Sequence, residues 1–465
     1  MPDVIIDGER YAANQNERLS DVIRRAGKAL TMPCGGRGTC GKCRVHVNDE
    51  EALACEYEVV ADVTVVLPEK ERIVSETGAG ETFSETDCMA LALDIGTTTL
   101  ALALVSLDER RIVRVVTETN PQRSFGADVM SRIAYSKEHG VTGLQLGIVT
   151  AVNAMLQSLG TASTDTMYVA GNTTMLHLFF GVDPSSMGAA PYTPVFLEGR
   201  SVSGASLGIP RVKNVTSLPS AAAFVGADLT AGLYYVGMPE RGKHRLLIDL
   251  GTNAEILLFS SESVVCTAAA AGPCFEGANI SCGMSASPGA IYAYGDDGYK
   301  TIQGAPAKGV CGTGLVDLIS FLLKKGIIDE TGYMEERFEV APGVTLTQGD
   351  VRQYQLAKSA VRAALETLLQ IQGLSFDAID KLYISGGFAA KINIDSAVAT
   401  GLLPSALQNR CIAVNNSSLL GTVKALCEAA DLSSLTAKMN YVDLSADAVF
   451  SDFFIDYMSF EEDGT

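Results

Sequence analysis

The stretch Leu91–Val105, LALDIGTTTLALALV, decides how the rest of the chain is read. It predicts an apolar strand ending at Asp94, a tight turn over Gly96 and three threonines, and a second apolar strand returning antiparallel to the first. Such a turn suits a phosphate. Gly96 lets the backbone come close, Thr97 and Thr98 offer N–H groups and hydroxyls as donors, and Asp94 stands where a carboxylate can hold hydrated magnesium. Taken alone, the same residues also describe an ordinary β-hairpin.

The pattern returns at Leu246–Phe259, LLIDLGTNAEILLF, which aligns Asp249 with Asp94, Gly251 with Gly96 and Thr252 with Thr97. Asn253 completes this second turn. Two hairpins of one grammar, a domain's length apart, suggest an internal duplication. Further on, a long amphipathic helix expected from about Asp350 to Gln372 precedes LYISGGFAAK, a strand running into Gly386-Gly387-Phe388 and a helix. Paired glycines there allow close approach to a flat ring or a ribose.

Other landmarks divide between structural and functional readings. In GNTTMLHLFFGVDP, Gly171–Pro184, Asn172 is equally a helix N-cap or a nucleotide contact. Asp128 and Asp228 precede helical stretches, where an acid at the N-terminus stabilises the helix dipole. Glu255 is either catalytic or simply exposed. Cys266, Cys274 and Cys282 lack a short chelating pair, so packing is favoured over metal binding. The four histidines are scattered and support no site.

With 465 residues, two or three domains are expected. A net charge of -19 argues against nucleic acid, whose phosphates are bound by clustered Lys and Arg. No apolar run is long enough to cross a bilayer, and MPDVIIDGER lacks the basic start and apolar core of a secretory signal. A cytoplasmic protein without nucleic-acid or membrane partners is therefore expected. Eleven cysteines, an odd number, then point to reduced thiols and metal ligation.

Residues 1–74 read as a separate module. A hairpin turns at Asp7-Gly8, a helix runs from Leu19 to Ala29 with Ser20 and Asp21 available to cap it, and CGGRGTCGKC leads into the strand RVHV, the loop NDEEA and one or two further strands. This order matches a small β-grasp module. Cys34, Cys40, Cys43 and Cys55 are spaced C-x5-C-x2-C-x11-C. Four thiolates with glycines between them suit an iron-sulfur cluster; zinc is the competitor, although only Cys40 and Cys43 form the short chelate pair usual for it. Gly36, Gly38 and Gly41 spell G-x-G-x-x-G, but the segment leads into a strand, so a dinucleotide reading fails. Residues 75–88 read as a polar linker, followed by 89–465 with halves near 89–245 and 246–465.

CGGRGTCGKCRV with a later LAC resembles the plant- or adrenodoxin-type [2Fe-2S] ferredoxins. The Cys43–Cys55 gap is much shorter than in ordinary members, so the intervening loop must be a bare turn; Cys88 is the other candidate fourth ligand. The two hairpins and the Gly-Gly turn resemble the actin, sugar kinase and heat-shock ATPase superfamily, an α/β fold of two ribonuclease-H-like halves closing on ATP. By that resemblance Asp94, Thr97 and Thr98 form the first phosphate loop, while Asp249, Gly251, Thr252 and Asn253 form the second. Gly386, Gly387 and Phe388 lie at the adenosine, and Asp249 binds Mg2+ or orients the attacking water.

Together with GPCFEGANISCGMSASPGAI and GTGLVDLISFLLKKGIID, these modules resemble the reductive activators of corrinoid proteins across almost the whole chain. The resemblance implies an ATP-hydrolysing protein that passes an electron from a [2Fe-2S] cluster to the Co(II) corrinoid of a methyltransferase system, giving Co(I). It further implies a corrinoid protein partner and a low-potential electron donor. A homodimer is compatible with the sequence. The alternatives are a nucleotide-gated ferredoxin that docks with another partner without turnover, and a small-molecule kinase with a redox sensor.

Overall fold

The computed structural model describes residues 1–28, 30, 32, 36, 38, 43–68, 88–161, 163–387 and 391–461. Cys34, Cys40, Phe388 and all of the expected linker except Cys88 lie outside the described residues. The chain forms two compact units. Unit 1 holds residues 1–218 and 426–429, and unit 2 holds 219–425 and 430–465.

Unit 1 begins with a five-stranded sheet of β1 (Asp3–Ile6), β2 (Glu9–Ala12), β3 (Arg44–Val47), β4 (Glu50–Leu53) and β5 (Val63–Val66) in the order β2-β1-β5-β3-β4. β1 and β5 pair parallel, and the other neighbours pair antiparallel. This is a β-grasp sheet. Alternation sends Val45 and Val47 into the core and Arg44 and His46 outward. Helix α1 (Leu19–Arg25) covers the sheet with Leu19, Val22 and Ile23.

Two local expectations need correction. α1 ends at Arg25, and its N-cap is Arg18 with no side-chain cap. Ser20 and Asp21 lie inside the first turn: the helix starts earlier, at Leu19, and the N–H groups of Leu19 and Ser20 are satisfied by the carbonyls of Tyr57 and Ala54 at 2.8 and 2.9 Å in place of a side-chain cap. The segment NDEEA is only in part a loop, the bare turn that the short Cys43–Cys55 gap requires. It contracts to a two-residue turn, Asn48-Asp49, with left-handed φ of 49° and 70°, and Glu50 already pairs with Val47. Asn and Asp tolerate such dihedrals, which is how the chain reaches Cys55 so soon after Cys43.

The second sheet of unit 1 contains β6 (Met89–Ile95), β7 (Thr99–Ser106), β8 (Arg111–Thr119), β9 (Thr164–Gly171), β10 (Ser201–Ser203) and β11 (Val212–Ser217), in the order β8-β7-β6-β9-β11-β10. β6 and β7 are antiparallel, and nearly every residue in both is buried, as in a strand covered on both faces. Helices α2 (Val129–His139), α3 (Thr142–Leu159) and α4 (Thr173–Phe179) complete this region. Asp128 caps α2 through a capping box with Ser131.

Unit 2 opens with α5 (Ala227–Val236) and repeats the plan. Its main sheet contains β12 (His244–Leu250), β13 (Ala254–Phe259), β14 (Val264–Ala269), β15 (Ile379–Ser385), β16 (Cys411–Ala413) and β17 (Met439–Tyr441) in the order β16-β15-β12-β13-β14-β17. Numbering five strands of each sheet along the chain gives 3-2-1-4-5 twice, the second antiparallel to its neighbours and the fourth parallel to the first. The duplication suggested by the hairpins is therefore a duplication of sheet topology.

Helices α6 (Gly312–Lys324) and α7 (Gln348–Ile371) pack on this sheet. α7 starts at a Thr347–Asp350 capping box, near the expected position. On α7, Lys358 is 1 % exposed; its ammonium donates to the carbonyls of Tyr457, at 2.8 Å, and Ser459, and lies 4.8 Å from the centre of the Phe460 ring. Removing the donor leaves two part-buried carbonyls without it. Lys358→Met is therefore expected to cost about 1–3 kcal/mol, read as a lower denaturant midpoint for unit 2; an unchanged midpoint would contradict this role.

Candidate functional site

The first loop is held from below. Gly96 N–H donates to the Thr99 carbonyl at 3.0 Å, closing the turn. A β-carbon on Gly96 would stand 2.7 Å from that same oxygen, so glycine is required. Asn120 Nδ2 donates to the Gly96 carbonyl at 2.8 Å, and the Asn120 N–H donates to the Thr98 carbonyl at 2.8 Å. Arg132, fully buried, donates to the Thr97 carbonyl at 2.6 Å and to the Gly126 carbonyl at 3.0 Å. Asn172 is a helix N-cap whose side chain also reaches the loop. Its oxygen caps α4 through Met175 N–H at 2.9 Å, and its amide donates to Thr97 Oγ1 at 3.1 Å, in the loop itself. Asp94 stands at the end of β6, 8 % exposed, beside Ala170 of β9.

In unit 2, Gly251 N–H donates to the Asn253 carbonyl at 2.9 Å, and Thr252 Oγ1 donates to Glu276 Oε2 at 2.9 Å. Asp249, one strand position before the turn, faces Glu255 across β12–β13 and Ser385 across β12–β15. Gly386 follows at once with φ +113°, where a β-carbon would collide with the Leu250 carbonyl oxygen. Strand pairing thus brings Asp249 and the Gly-Gly turn to one end of the sheet.

Glu255 is half-buried. Desolvation, then the neighbouring Asp228 and Asp249, raise its pKa well above the ordinary value of 4.5. Asp228, in the first turn of α5, is thereby a member of a carboxylate group as well as a helix-end acid. A glutamate with a raised folded-state pKa binds its proton where the unfolded chain has lost it, so stability from this group falls as pH rises above about 4.5. Glu255→Gln is expected to flatten that fall and to raise the melting temperature at neutral pH. An unchanged pH profile of stability would contradict the shift.

In the β-grasp module, Cys43 and Cys55 are buried and their Sγ atoms lie 3.2 Å apart. That is too long for a disulfide, about 2.05 Å, and close enough for both sulfurs to reach one metal ion with bonds of about 2.3 Å. This donor pair fits an iron-sulfur site. Cys88 is exposed beside the start of β6, where its N–H donates to Asp108 at 2.8 Å. Of the remaining cysteines, Cys266 and Cys274 are buried in apolar cores, which pushes the Cys266 thiol up to about 12 and the Cys274 thiol further. Inert packing accounts for both. Asn120, Arg132 and Glu276 have no local motif; the Asn-Pro step before Pro121 is the faint signal for the first.

Three family models cover these regions in order: a 2Fe-2S iron-sulfur cluster binding domain over residues 4–66, the RACo middle region over 89–241, and the C-terminal ASKHA domain of RACo over 243–465. The chain belongs to the RACo family. This RACo-family chain is 28 % identical to the corrinoid activation enzyme RamQ of Eubacterium limosum, over 85 % of this chain and 88 % of the relative. It is 23 % identical to the [Co(II) methylated amine-specific corrinoid protein] reductase of Methanosarcina barkeri, over 80 % and 77 %. A solved reductive activator for corrinoid, iron-sulfur protein matches with a TM-score of 0.74 and 27 % identity, covering 99 % of this chain and 98 % of that one. The chain thus combines a 2Fe-2S cluster-binding domain with an ASKHA domain of the ATP-binding type. Among the described residues, no helix is long and apolar enough to cross a membrane.

Proposed function

We propose that this chain is an ATP-dependent reductive activator of a corrinoid protein, returning Co(II) to Co(I) in a methyltransferase system. The observation that carries the reading is the conjunction, in one chain, of the buried Cys43–Cys55 pair with two Asp-bearing hairpins on sheets that share the order of five strands. Cys34 and Cys40 join that pair as ligands. When bound, the [2Fe-2S] cluster supplies a one-electron donor, near about -400 mV in plant-type ferredoxins.

The chain's own residues do the rest. Gly96, Thr97 and Thr98 offer donors to phosphate oxygens in unit 1, and Gly251, Thr252 and Asn253 do so in unit 2. Asp94 and Asp249 are the ligands for Mg2+ or for its waters, and Asp249 positions the attacking water. Gly386, Gly387 and Phe388 accommodate the adenosine. Nucleotide binding then favours the conformation that binds the corrinoid partner, and differential affinity for that partner offsets an uphill transfer.

The test is direct. The reduced protein is mixed with a Co(II) corrinoid protein, and the visible spectrum is followed with and without Mg-ATP. Co(I) should form only with nucleotide; its absence sinks the proposal.

A further inference from the structure

Arg24, in the last turn of α1, reaches from the β-grasp module to the 3-10 turn and helix that follow β8. Its Nε donates to the Ser124 carbonyl at 3.1 Å, and its guanidinium lies 5.9 Å from the centre of the Phe125 ring and 5.8 Å from that of Tyr135. Asp21 holds the same guanidinium by an ion pair at 2.7 Å. The other face borders the cluster segment. A β-carbon built on Gly36, between Cys34 and Cys40 in sequence, would stand 3.2 Å from the Arg24 NH2 group and 3.8 Å from Cys55 Cβ.

Beyond Ser124 the contacts continue to the phosphate loop. Ser124 ends the 3-10 turn Pro121–Ser124, whose N-cap is Asn120. Asn120 is the residue that holds the carbonyls of Gly96 and Thr98. Arg132 adds a parallel tie, from Gln122 Oε1 at 3.4 Å to the Thr97 carbonyl at 2.6 Å. One side chain therefore connects a turn anchored on the Gly96–Thr98 loop with the immediate surroundings of a cluster ligand.

We propose that Arg24 is a positioning residue that couples nucleotide occupancy of the Gly96–Thr98 loop to the reduction potential of the cluster. This rests on the assignment of that loop to ATP. A cation beside an iron-sulfur site stabilises its reduced, more negative state and raises its potential. Phosphate on the Gly96–Thr98 loop accepts from the loop's N–H groups and hydroxyls, shifts the peptides whose carbonyls Asn120 and Arg132 hold, displaces the 121–124 turn, and moves the guanidinium away from Gly36. The potential then falls, and the cluster becomes a stronger donor when ATP is present.

The experiment measures the cluster midpoint potential by EPR-monitored titration of the full chain, nucleotide-free and with Mg-ATP, together with ATP affinity by calorimetry. The wild type should shift to lower potential with Mg-ATP. Arg24→Gln should start lower without nucleotide and lose the shift, while Arg24→Lys, which keeps the charge but not the Nε bond to Ser124, should start near wild type and also lose it. Both variants should still bind ATP, but should lose the difference in ATP affinity between oxidised and reduced cluster that the shift requires of the wild type. An equal shift in wild type and variants, or none in a wild type that binds ATP, overturns the coupling alone. Failure of the wild type to bind ATP overturns both the coupling and the proposed function.

Discussion

Replacing Cys55 with alanine is expected to abolish cluster assembly, with loss of the visible absorption and of the EPR signal of the reduced protein, whereas Cys88→Ala leaves both intact. The difference rests on geometry. Cys55 brings its sulfur to 3.2 Å from that of Cys43 inside the β-grasp core, while Cys88 is exposed at the start of the next sheet. Loss of one thiolate from a four-thiolate site removes a covalent ligand and leaves no nearby substitute. Iron and sulfide content per chain, measured after reconstitution, checks the prediction. A Cys55→Ala protein with full iron content would assign the fourth ligand elsewhere.

The second large effect is expected at Asp249. Asp249→Asn should lower ATP hydrolysis by roughly 10²–10³-fold, the usual loss when one positioned electrostatic group is removed from a reacting centre. Nucleotide-dependent Co(I) formation should fall with it. The variant should also be no less stable than the wild type at neutral pH, because Asp249 is one of the two charges that raise the Glu255 pKa. Removing it relieves that repulsion. Hydrolysis at the wild-type rate would show that Asp249 neither holds the metal nor orients water, and would favour a nucleotide-gated binder.

Much of this arrangement is legible in the sequence because its signals are local. Asp-x-Gly-Thr between apolar runs fixes a strand end, a turn and a return, and two copies imply two sheets of one topology. The cysteines with their intervening glycines identify the first module just as directly. Other features arise only when distant segments meet. Ser20 and Asp21 satisfy the composition rule for a cap, yet the helix starts before them, its first N–H groups satisfied by the carbonyls of Ala54 and Tyr57, more than thirty residues away. Arg132 reads as an ordinary basic residue of an amphipathic helix; it is fully buried, and its role is to hold loop carbonyls. Glu255, ambiguous in sequence, acquires its unusual ionisation first from desolvation and then from Asp228, on a preceding helix, and Asp249, across the strand pair.

The carbonyl partners of Lys358 lie 99 and 101 residues later in the chain. At synthesis rates of about 5–20 residues per second, that separation corresponds to a delay of roughly 5–20 s. During this interval the ammonium has none of these partners, and burying it without them opposes closure of the core around α7. The same contact that secures the finished unit therefore forms only after residues 457–459 have been made, when the earlier modules are already free to fold.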